Sequence, residues 1–91
     1  MEKKTLYRIC TEDVNPEDTR RLIEKRFDGY TLLHGEGCWK GGEERAVVIE
    51  IVTNNYRKNA ENITALCRDL KDANNQNAVL VECVEIDTFL V

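Results

Sequence analysis

The run Arg45-Ala46-Val47-Val48-Ile49-Glu50-Ile51-Val52-Thr53, continuing through Asn54-Asn55 into Tyr56–Leu70, governs how the rest of the chain must be arranged. Val47, Ile49 and Ile51 alternate with Val48, Glu50 and Val52. That two-residue period is a strand, and its richness in β-branched residues on both sides marks a central one. Asn54-Asn55 then offers a helix cap, and Tyr56, Ala60, Ile63, Cys67 and Leu70 recur every three or four residues as one helical stripe. Asn74-Asn75 ends that helix.

The remaining elements follow outward from this centre. Thr5–Thr11 is rich in strand formers. Asn15-Pro16-Glu17-Asp18 opens a helix: Asn15 can accept from exposed N–H groups, Pro16 suits the first position, and the two acids face the positive end of the dipole. Leu22, Ile23 and Phe27 recur at helical spacing, and Gly29 is expected to close the helix in the left-handed conformation. Tyr30–Trp39 is a second strand, with Tyr30, Leu32 and His34 on one face and Thr31 and Leu33 on the other. Lys40-Gly41-Gly42-Glu43-Glu44 turns it back as a hairpin. The last strand is Ala78–Glu85, and the apolar tail Ile86–Val91 is expected to prolong an edge strand or dock on a neighbour.

This order, β-α-β-β-α-β, predicts one α+β domain spanning residues 1–91: a ferredoxin-like sandwich. Right-handed crossovers place both helices on one face of an antiparallel sheet of order 4-1-3-2. Tyr7, Ile9, Val47, Ile49, Ile51, Val79 and Val81 are expected to pack beneath Leu22, Phe27, Ile63, Cys67 and Leu70.

The other sheet face is left bare. By alternation it carries Leu6, Arg8 and Cys10; Leu32 and His34; Val48, Glu50 and Val52; and Leu80, Glu82 and Val84. A fully wetted face would be mostly polar. Strand order sets Arg8 between Glu50 and Glu82, and a hairpin centred near Gly42 puts His34 opposite Glu50. The expectation is a self-association surface using Leu6, Arg8, Val48, Glu50, Leu80 and Glu82, with the buried charges fixing register. The same set, as Arg8, Glu50 and His34, is the candidate for acid/base chemistry, although no nucleophile accompanies it.

Composition narrows the function classes. The chain has 91 residues, with 42% hydrophobic and 33% charged residues, so collagenous and disordered classes fall away. Thirteen Lys and Arg against seventeen Asp and Glu give a formal charge of −4, which lacks the footprint of a nucleic-acid binder. The longest apolar runs, Ala46–Ile49 and Ala78–Val81, fall far short of the ~20 residues that cross a bilayer, and no apolar signal core follows Met1. A soluble, cytoplasmic protein is the expectation, without membrane or nucleic-acid partners. Cys10, Cys38, Cys67 and Cys83 form no C-x-x-C pair and His34 is the sole histidine, so no zinc motif exists; Cys38 and His34 are the metal candidates. Cys10, Cys67 and Cys83 are expected as small core residues, and Cys38 as an exposed thiol.

Gly35-Glu36-Gly37-Cys38-Trp39-Lys40-Gly41 holds three of the five glycines and the only Trp. Gly35 and Gly37 inside a strand predict a bulge or a close approach. Lys40 with neighbouring N–H groups offers a place for an anion. Packing of Trp39 on a neighbouring copy is the alternative.

These residues resemble the G-F-G-R-Q-K-G segment that opens the T-loop of PII signalling proteins. Tyr30-Thr31-Leu32 before them and Val47–Val52 after them fall where that group has strands two and three. Gly37-Cys38-Trp39-Lys40-Gly41 is also similar to the Y-R-W-K/Q-G-E hairpin of CutA proteins. Resemblance to the PII/CutA-like group implies a homo-oligomer, a trimer, whose sheet faces pack around the threefold axis and whose ligand sites lie between subunits. A small anionic metabolite held by Gly35, Gly37, Cys38, Trp39, Lys40 and Gly41 is then the expected ligand, with no cofactor, and the expected role is regulatory; the alternatives are a metal-responsive CutA-like protein and a small enzyme using His34, Glu50 and Arg8. Cys38 and Trp39 stand where PII proteins have Arg and Gln, and no G-x-G-K segment follows the last strand.

Overall fold

The computed structural model describes residues 1–91. The chain runs β1 (Glu2–Glu12), α1 (Pro16–Glu24), β2 (Thr31–Trp39), β3 (Gly42–Thr53), α2 (Arg57–Ala73) and β4 (Leu80–Thr88). The four strands make one antiparallel sheet of order β2-β3-β1-β4, the expected 4-1-3-2 arrangement. No helix is long and apolar enough to cross a membrane.

Local chemistry explains α1 directly. Asn15 accepts from the Asp18 N–H at 3.2 Å, Pro16 occupies the first turn, and Glu17 and Asp18 sit at its positive end. Its other end corrects the expectation for Gly29. The helix stops at Glu24, and the N–H groups of Arg26 and Phe27 both fold back onto the Ile23 carbonyl. That tightened turn carries Phe27 into the core, and Gly29 does not take a positive φ. At α2, Tyr56 and not Asn54-Asn55 stands at the N-cap, and no side chain caps it. The asparagines are used elsewhere: Lys4 Nζ donates to Asn54 Oδ1 at 2.6 Å and Thr5 Oγ1 bonds Asn55 Oδ1. Asn75, at φ 53°, closes α2 in the left-handed region, with the Gln76 N–H donating to the Lys71 carbonyl at 2.9 Å.

The core lies between the sheet and the two helices. Ile9, Val47, Ile49 and Ile51 are buried from below and Leu22, Ile23, Phe27, Ile63, Leu66 and Leu70 from above. Leu66 belongs to it and Tyr56 does not, so the buried stripe of α2 lies one step round from the one expected. Tyr7, Cys67 and Val79 pack at its margin. β4 is an edge that the helices leave uncovered: Val81 is 38% exposed and Cys83 is exposed, against the expectation that both pack inside.

The hairpin carries the largest correction. Trp39 pairs with Gly42 across a two-residue loop, Lys40-Gly41, both at positive φ (50° and 79°) as a type I′ turn requires. His34 therefore faces Val47, three residues from the Glu50 expected. An odd shift turns every β2 side chain over. Leu32 and His34 lie on the helix side, and Leu33, across from Val48, joins the open face. The pairing steps through Gly35 and Gly37 without interruption, so the predicted bulge is absent. A Cβ on Gly37 would stand 3.3 Å from Ala46 Cβ, a close approach between strands.

Candidate functional site

The open face is built from alternate residues of three strands in register. Leu6 pairs with Val52 and Val84, Arg8 with Glu50 and Glu82, and Cys10 with Val48 and Leu80. The result is banded: an apolar row, a charged row, an apolar row. Arg8 sits between its two carboxylates as expected, Nε 3.3 Å from Glu50 Oε2 and Nη1 3.9 Å from Glu82 Oε1. The Cys10 thiol donates weakly to Glu82 Oε1 at 3.9 Å, and its ionisation is pushed up by burial and by the Glu82 charge. Around this row Leu33, Val52, Leu80 and Val84 stay 48–62% exposed.

His34 is not part of this cluster. Its Nδ1 lies 2.8 Å from Asp13 Oδ2, on the helix side, where Asp13 enters α1. The expected acid/base set of His34, Glu50 and Arg8 is thus divided between two faces. Cys38 is on the same side of β2 as His34 but four residues on, roughly 13 Å away along a strand, too far for one metal ion. No group of three or more His, Cys, Asp or Glu converges anywhere in the chain.

At the far end of the β2–β3 ladder lies a cleft of about 520 Å³ that sequence reasoning missed. β2 begins at Thr31, opposite Glu50, so β3 runs on through Ile51, Val52 and Thr53 with its outer edge unpaired. Those three residues form one wall, and Asp28-Gly29-Tyr30 the other. Lys4, Arg26, Glu50, Asn54 and Asn59 also line it. Asn59 Nδ2 donates to the Asn54 carbonyl at 3.0 Å, and Arg26 reaches Asp69 at 3.2 Å. Thr53 is only 8% exposed, yet its Oγ1 has no hydrogen-bond partner. Tyr30 donates to Glu24 Oε1 at 2.7 Å, and that bond, then burial, raises its phenol. No single motif marks this site, because it is made where a strand outlasts its neighbour.

The glycine-rich hairpin points the other way. Trp39 is 72% exposed, and Lys40 Nζ lies 5.9 Å from its ring centroid. Gly35, Glu36, Glu43, Glu44 and Arg45 line a shallow hollow beside it. Trp39 and Thr31 are eight residues apart on one strand, so tip and cleft are separated by roughly 26 Å.

Comparison with solved structures places these features in a known fold. A phage SAM lyase in complex with S-methyl-5′-thioadenosine is similar at TM-score 0.70 and 18% identity, over 90% of this chain and 81% of that one. A DUF3240-family protein from Shewanella baltica matches at TM-score 0.68 and 16% identity, over 100% and 98%. CPII, a nitrogen regulatory PII-like protein from Thiomonas intermedia, bound to ADP, AMP and bicarbonate, matches at TM-score 0.65 and 15% identity, over 98% of both chains. No protein-family model matches the sequence, nor does any curated protein. The chain has a PII-like fold of the ferredoxin-like α+β class.

Proposed function

We propose that this chain is a non-enzymatic, PII-like ligand-binding protein of regulatory role, acting in the cytoplasm as a homo-oligomer, most simply a trimer. Its ligand is a small adenosine-bearing molecule with an anionic group, held between copies. The cleft at the end of β3 carries the proposal: an unpaired strand edge and a buried hydroxyl without a partner offer hydrogen bonds to a flat polar ligand, in a lining where Lys4 and Arg26 stand beside Asp28 and Glu50. Similar folds hold ADP with AMP in one protein and S-methyl-5′-thioadenosine in another, and adenosine is their shared part. Gly35, Gly37, Cys38, Trp39, Lys40 and Gly41 contribute only if the hairpin of one copy reaches the cleft of the next, given the ~26 Å between them.

Thermal unfolding with AMP, ADP, bicarbonate and S-methyl-5′-thioadenosine tests this. A ligand at about a hundred times its Kd stabilises by about 2.7 kcal/mol. Trp39→Ala and Lys40→Ala should each reduce that gain, and an unchanged melting curve across the panel removes the proposal.

One observation favours a second possibility. From Gly35 to Arg45, Glu36, Glu43 and Glu44 outnumber Lys40 and Arg45, and an exposed indole stands beside them. That end suits a cation better than an anion. A sulfonium nucleoside, the substrate type of the phage lyase, has that charge. Incubation with S-adenosylmethionine separates the two: catalytic release of S-methyl-5′-thioadenosine makes the chain an enzyme, and recovery of intact substrate leaves it a binder.

A further inference from the structure

The open sheet face brings a charge imbalance that pairing like face with like face does not cure. Its middle row supplies one guanidinium, Arg8, and two carboxylates, Glu50 and Glu82. Arg8 is closer to Glu50, at 3.3 Å, than to Glu82, at 3.9 Å, and Glu82 is the more exposed, at 53% against 31%. Glu82 is therefore the surplus charge, with half a guanidinium and one weak thiol donor for partners. Lys4 is the other cation on this face, and it is held at the margin by Glu2 at 3.5 Å and Asn54 at 2.6 Å. Glu12 and Glu44 occupy the same face by register and add only negative charge. No helix or loop packs over these groups, so nothing else in the chain answers them.

A second copy of the same face suits this surface band by band. Apolar rows can meet apolar rows and charged row can meet charged row, whereas a wholly apolar partner would strand all three charges. However many copies meet, each adds one guanidinium and two carboxylates. Covering the face takes water from a carboxylate with no full counter-charge, and desolvation disfavours its charged form. We infer that self-association through this face takes up a proton on Glu82, so that assembly tightens as pH falls. This rests on the proposal that copies of the chain cover the face.

Linkage sets the sign and the size. A proton bound only in the assembled state strengthens association by up to about tenfold per pH unit for each copy. Sedimentation velocity of the full chain from pH 8.5 to 5.5, at constant ionic strength with EDTA, reads it. Glu82→Gln keeps the shape and removes the charge; Glu61→Gln makes the same change in net charge on α2, away from the face. The expected result is a dissociation constant at least tenfold lower at pH 5.5 than at 8.5 for the parent chain and for Glu61→Gln. Glu82→Gln should already associate at least tenfold more tightly at pH 8.5 and show a flatter profile. An oligomer with the same constant across the range overturns the inference alone, as does Glu61→Gln behaving like Glu82→Gln, or tightening at pH 8.5 by magnesium ions but not by acid. A monomer for all three proteins at every pH overturns the covered face itself.

Discussion

The two faces of this sheet are made from alternate residues of the same strands, yet one is finished and the other is not. On the helix side Ile9, Val47, Ile49 and Ile51 are fully buried, or nearly so. One residue away along the same backbones, Leu80, Val84, Val52 and Leu33 keep about half of their surface in water around a row of three charges. The first face is where folding draws its free energy; the second leaves a comparable kind of apolar surface in water. Two helices complete a two-layer sandwich on only one side of this four-stranded sheet, and the other side keeps apolar surface in water.

The difference should be visible in stability. Ile49→Ala, at the centre of the finished face, should cost about 3 kcal/mol through lost burial and the cavity left behind, measured by urea unfolding. A loss below about 1 kcal/mol would mean the two faces are not distinct in the way described. Leu80→Asp reverses the pattern: unfolding of the separated chain should change by under about 0.5 kcal/mol, while the dissociation constant of the oligomer should rise at least tenfold, about 1.4 kcal/mol. Thr53→Val sharpens the comparison from the cleft. It removes a buried hydroxyl without a partner, so the ligand-free protein should gain about 1 kcal/mol, and a loss of stability would show that the hydroxyl is satisfied. Ligand stabilisation should drop in the same variant if adenosine or its anionic group reaches that oxygen.

Alternation made the contents of both faces on β1, β3 and β4 legible in sequence, because each strand's period is fixed once one residue is placed. Arg8 between Glu50 and Glu82 followed from strand order alone. β2 was misplaced for a physical reason. Gly41-Gly42 looks like the natural centre of the turn, but the chain bends at Lys40-Gly41 and accepts a positive φ at a lysine. Three residues of register then moved His34 from Glu50 to Val47 and exchanged Leu32 for Leu33. The cleft was not legible because it arises from where β2 begins relative to β3, a boundary that periodicity does not fix. The His34–Asp13 contact joins two elements 21 residues apart and leaves no spacing signal.

The cysteines test the comparison most gently, since they report cover without altering it. Cys67, on α2 against the core, has its thiol pushed up to about 11 by burial alone, whereas Cys38 and Cys83 are exposed. At pH 8 a thiol of that kind is ionised in about one molecule in a thousand, and the thiolate is the species that reacts. Alkylation of the native protein at pH 8, followed by peptide mass mapping, should label Cys38 and Cys83 early and Cys67 last. The same burial fixes a direction for stability at high pH. Because the folded value lies above the unfolded one, the unfolded chain loses its proton first, so the contribution of Cys67 is complete below about pH 9 and fades as pH rises towards 11. Cys67→Ala should remove that part of the alkaline decline while leaving the open face, and the association proposed for it, unchanged. Labelling of Cys67 as fast as Cys83 would show that α2 lifts from the sheet in solution, and that the finished face opens far more readily than its packing implies.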